Sequence, residues 1–104
     1  MDKLALLTEI LTQSPTDAFS RYGLAMELVS QSRIPEALAE FTRCIAGNPD
    51  YVPAYQMSAQ TLAAHGDTDA ALTRLEAGIA TANRTNNPHA RSEMEALRED
   101  LFNA

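Results

Sequence analysis

The chain has 104 residues, enough for one domain with a thin core, and 45% of them are hydrophobic but only 6% aromatic, with no Trp. Such a core must be built from Ala and Leu, which favours closely packed helices over a sheet. The formal net charge of −6 opposes binding to nucleic acid and to anionic membranes, and serves solubility. Cys44 is the single cysteine, so no intramolecular disulfide is available and a reducing compartment is expected. Residues 1–7 are too short an apolar run for a signal peptide, and no stretch approaches the roughly 18 apolar residues of a membrane span.

The first helix is predicted over about 3–13, with Leu4, Leu7 and Leu11 on one face and Ile10 beside them. Ser14-Pro15-Thr16-Asp17 ends it, and Thr16 or Asp17 can cap the next. Helix two runs to about residue 30; its Tyr22 and Met26 lie on a different face from Leu24 and Leu28. The turn at Ser32 is short, so helix three must lie antiparallel to helix two. Pro35 sits in a first turn, where its missing N–H does no harm, and Glu36 suits the helix dipole. Asn48-Pro49-Asp50 is the next break, with Asp50 as the expected cap and Pro53 in the following first turn. Helix four ends at His65-Gly66-Asp67, with Gly66 supplying a left-handed residue and Asp67 capping helix five, predicted over about 68–82. After a polar stop at 83–87 and Pro88, a last helix carries Ala90, Met94, Leu97 and Leu101 on one stripe.

These helices repeat. A shift of 34 residues carries Ala25 to Ala59, Leu28 to Leu62, Ala37 to Ala71, Phe41 to Leu75, Cys44 to Gly78 and Ile45 to Ile79. The same shift backwards from Leu38, Phe41, Cys44 and Ile45 gives Leu4, Leu7, Ile10 and Leu11, so the first helix reads as the second half of a pair. The last helix aligns at an offset of 35, with Tyr55 matched to Ala90, Ala59 to Met94 and Leu62 to Leu97. A fixed period of this size marks units that bury their apolar faces on their neighbours. Small residues at Ala25, Ala37, Ala59, Ala71 and Gly78 permit close helix approach.

With Leu24-Ala25, Leu28, Ala37, Phe41 and Pro49, then Tyr55, Ala59, Leu62, Gly66-Asp67, Ala71 and Leu75, the sequence resembles the tetratricopeptide repeat family. Arg21 stands where a large apolar residue is usual, Ser32-Arg33 replaces the Gly-Asp turn, and Asn83 replaces the Pro. The expected fold is all-α: a right-handed stack of antiparallel helix pairs, an α-solenoid of about six helices. The expected organisation is one domain over 1–104, with a half repeat at 3–15, repeats at 18–50 and 52–83, and a capping helix at 88–103.

No residues assemble a catalytic site, and no cofactor is expected. Cys44 reads as a buried inert thiol, since neither His is near it in the repeat pattern. His65 and His89 have no ligand partner at helical spacing, so no metal is expected, and Asp67-Thr68-Asp69 lacks the mid-loop Gly and further ligands of a calcium loop. Glu93, Glu95, Glu99 and Asp100 read as a solvated face.

The resemblance implies a cytoplasmic, non-enzymatic module that binds a peptide or helix of another protein in a groove lined by the first helix of each pair. On that pattern the groove is lined by Phe19, Tyr22, Met26 and Val29, then Gln56, Met57 and Gln60, then Arg91, Glu95 and Arg98. The plainer alternative for Phe19 and Met26 is packing against helix one. The alternative function is self-association, a homodimer formed through apolar surface left at the ends, including Leu6, Leu101 and Phe102.

Overall fold

Each helix start and stop has a local cause in the computed structural model, which describes residues 2–104. Helix α1 (Lys3–Gln13) starts where the Asp2 carboxylate accepts the Ala5 amide at 2.7 Å. Asp17 does the same for α2 (Ala18–Ser30) through Ser20, at 3.2 Å. Helix α3 (Ile34–Gly47) has no side-chain cap and relies on Pro35 and Glu36 in its first turn. Helix α4 (Val52–Ala64) follows the Asn48-Pro49-Asp50 break. Asp67 caps α5 (Thr68–Arg84) and Asn87 caps α6 (Pro88–Phe102).

Three helix ends close in one way. Ser32, Gly66 and Asn86 all take left-handed backbone, at φ of 59°, 82° and 56°. The next amide in each case, from Arg33, Asp67 and Asn87, reaches back to the carbonyl of Leu28, Leu62 and Ala82. This is the Schellman closure, which satisfies carbonyls that a helix end would leave bare. Only Gly66 has the residue that adopts this conformation without cost.

Among the described residues there are six helices and no strand, in two compact units, one up to Tyr51 and one over Val52–Ala104. In the first, α1 and α3 both pack on α2. Its core is Leu11, Leu24, Leu28 and Ala37, with Leu4, Leu7 and Val29 against it. A second layer stacks the Tyr22 ring on Phe41 and Tyr51, with centroids 6.1 and 5.7 Å apart. In the second unit, α5 packs between α4 and α6, and α6 also meets α4. A Cβ on Gly78 would fall 2.7 Å from Met94 Sδ and 2.8 Å from Tyr55 Cβ, so glycine permits this sandwich.

Toward the end of the chain one helix boundary differs from the sequence reading. Helices α2, α4 and α6 start at residues 18, 52 and 88, which gives spacings of 34 and then 36. Burial does not follow the helix starts: Tyr55 and Ala59 are buried in α4 and Ala90 and Met94 in α6, the pairs that an offset of 35 brings together. Helix α5 runs to Arg84 rather than residue 82.

Candidate protein-interaction surface

On α2 the four predicted contact residues separate by burial. Phe19, in the first turn, is 75% exposed. Met26 is half-buried. Tyr22 is half-buried because its ring leans on Phe41 and Tyr51, and Val29 joins the core beside Leu28. The one basic residue of α2, Arg21, is committed to structure. Its guanidinium donates to Glu40 of α3 at 2.7 Å and to the Pro15 carbonyl at 3.0 Å, and Arg43 donates to the other Glu40 oxygen at 2.5 Å. With Glu40 largely buried, this two-arginine clamp replaces the apolar contact usual at position 21.

In the second unit, Gln60 is exposed and Met57 half-buried on α4. Gln56 donates to the Glu93 carboxylate of α6 at 3.2 Å, and His89 lies 3.2 Å from the same oxygen. Arg91 and Arg98 are tied to α5 instead: Arg91 donates to Asn83 at 3.1 Å, and Arg98 to Glu76 at 3.2 Å. Arg91 also lies 3.7 Å from Glu95. The structure thus joins Gln56 to Glu93 and holds both arginines along α5. The Gln56–Glu93 contact was missed in the sequence because it depends on which side of α6 meets α4.

Cys44 is fully buried and its thiol donates to the Ala18 carbonyl at 3.6 Å. Burial pushes the thiol pKa up, with only weak opposition from Arg21, so the sulfur stays neutral. Burial likewise raises Tyr22 and Tyr51, with the neighbouring Cys44 adding to it. Asp17 is held below its ordinary range, first by the Ser20 hydroxyl and then by the Ser20 amide. Among the described residues no three of His, Cys, Asp and Glu gather as a metal site, and no helix is long and apolar enough to cross a membrane.

Helix pairs repeating at 34 residues with small residues at their crossings define a helical-repeat fold of the protein-interaction class. The tetratricopeptide repeat model matches residues 28–97, well over half of the chain, and the chain belongs to that family. Among solved structures it is similar to the TPR2B domain of yeast Sti1 in a complex with pHsp70, at TM-score 0.89 and 26% identity, over 96% of this chain and 80% of that one. It is similar to the TPR2AB domain of yeast Sti1 in a complex with pHSP90, at TM-score 0.88 and 26% identity, over 95% of this chain and 38% of that one. A tetratricopeptide repeat domain protein from Salinibacter ruber matches at TM-score 0.79 and 29% identity, over 84% of this chain and 88% of that one. No curated protein matches the chain.

Proposed function

We propose that the chain is a non-enzymatic, cytoplasmic module that binds a peptide or helix of another protein through the faces of α2 and α4, in the groove its family membership implies. The observation that carries this is Phe19. A phenylalanine three-quarters exposed on a helix, with half-buried Met26 two turns along the same face, is an anchor awaiting a partner rather than a core residue. The yeast Sti1 domains that the chain resembles are in complexes with pHsp70 and pHSP90, which supports a peptide ligand.

The chemistry here favours a neutral, apolar-anchored peptide over one held by its carboxylate. Helices α2 and α4 together carry one basic residue, Arg21, and Glu40 already occupies it. Gln60 offers an amide for a ligand backbone, and Met26 and Met57 supply adaptable apolar contact.

A titration with a neutral peptide selected from a display library tests this. Phe19→Ala and Gln60→Ala should weaken binding, by about 1–2 kcal/mol for Phe19, while the unfolding midpoint is unchanged. Normal binding by both variants, with binding abolished by Thr42→Arg on α3, would sink the proposal.

A further inference from the structure

Helix α4 has no charged residue, whereas α6 carries charges of both signs. The fold sorts them. Arg91 and Arg98 are drawn to Asn83 and Glu76 of α5, while Glu93 is turned to α4, where Gln56 donates to it at 3.2 Å. Its ion-pair partner among the described residues is His89, four residues earlier and 3.2 Å away, and that contact is ionic only when the imidazole is protonated. Glu93 therefore keeps its negative charge without a permanent cation beside it.

This carboxylate is held but not covered. Its side chain is 51% exposed, and Gln56 is half-buried. A carboxylate only accepts, so the Gln56 amide must turn its NH2 to Glu93 and its carbonyl away. Gln56 and His89 both reach Oε1 of Glu93, which leaves Oε2 as the open acceptor. One turn along α4, on the same face as Gln56, lies the exposed amide of Gln60.

We propose that Glu93 is a specificity-determining residue of the peptide groove, positioned by Gln56, and that it selects a lysine side chain in an otherwise uncharged ligand. This rests on the peptide-binding reading above and adds one charge to its ligand. The lysine ammonium is a compact head with three donors, which a single open oxygen can accept. A guanidinium needs both carboxylate oxygens for its parallel pairing, and Oε1 is already engaged. Because Gln56 fixes Glu93 before a ligand arrives, less side-chain freedom is lost on binding. The net charge of −6 attracts any cation at long range, but only a close contact distinguishes one glutamate from its neighbours.

The probe is the uncharged display-selected peptide, capped at both ends, remade with lysine and with norleucine at each position in turn. Each version is titrated by calorimetry into the full chain. At one position lysine should bind about threefold tighter than norleucine, as befits an exposed ion pair. Arginine there should bind no tighter than lysine. Glu93→Gln should abolish the preference and keep the affinity for the norleucine peptide, and Gln56→Ala should reduce the preference. Glu99→Gln removes the same charge from an exposed site beside Arg98 and Phe102, and should leave the preference intact. No lysine preference at any position overturns the proposal. So does a preference that survives Glu93→Gln, or one that Glu99→Gln removes equally. Those outcomes leave the groove reading standing, since the norleucine peptides still bind and Phe19→Ala still weakens them. Binding of none of the peptides overturns both.

Discussion

Gly78 sets the distance between α5 and both of its neighbours. An alanine there gains up to about 1 kcal/mol of helix propensity but meets Met94 Sδ and Tyr55 Cβ. The Met94 tip can move; Tyr55 Cβ is fixed to backbone. Overpacking of this kind costs about 1–3 kcal/mol and should win, so Gly78→Ala lowers the urea midpoint. Gly47→Ala, whose Cβ meets nothing within 4 Å, is the control and should not. Ser32 presents the opposite case. It holds φ of 59° with a Cβ, so Ser32→Gly should raise the melting temperature, by relief of about 0.5–1 kcal/mol of strain. An unchanged melting point would mean that the Schellman closure carries no strain at Ser32. One buried group has no account here: Ser58, at 1% exposure, has a hydroxyl without a partner where the first repeat packs Leu24.

At the scale of elements, the α2–α3 pairing encloses three weak acids. Burial raises the pKa of Cys44, Tyr22 and Tyr51 above their ordinary values of 9.0, 10.0 and 10.0. At about pH 7 all three are neutral in both folded and unfolded chains, so they cost nothing there. As pH rises past those values the unfolded chain ionises first and is favoured, so stability falls through the alkaline range. Urea midpoints measured on either side of that window should drop with pH, and Cys44→Ala should reduce the early part of the drop. A flat profile would mean that the thiol and rings are better solvated than their packing implies. Helix α1 leaves Leu6 and Ile10 exposed.

For the whole molecule, charge is the property that counts. The net charge of −6 at pH 7 vanishes near pH 4.7. Self-repulsion is lost there while Phe19, Phe102 and Leu6 remain exposed. Light scattering should therefore show a solubility minimum close to that pH that reverses at neutral pH. The same titration weakens the Asp17 cap only at more acid pH, since its pKa is held below 3.8 and its contribution is lost as pH falls through the lowered value. Loss of helix signal before scattering begins would reverse that order.

The sequence by itself determined the all-α class, the helix pairs and the positions of the small residues. Period and side-chain size dictate these, since apolar residues at helical spacing must share a face and only Ala or Gly lets two helices cross closely. It also placed the caps at Asp17 and Asp67. It did not reveal the closure at Ser32, since serine does not favour a left-handed backbone, or the one at Asn86, although asparagine is the usual alternative to glycine there. It ended α5 two residues early, because the polar residues of its last turn do not mark where the helix stops. Only the tertiary structure decided which side of each helix meets which neighbour. It sent Arg91 and Arg98 to α5 and Gln56 to Glu93, sank Val29 into the core and left Phe19 bare. A repeat period says which residues share a face; the rotation of each helix about its axis, set by the packing of its largest side chains, says what that face touches.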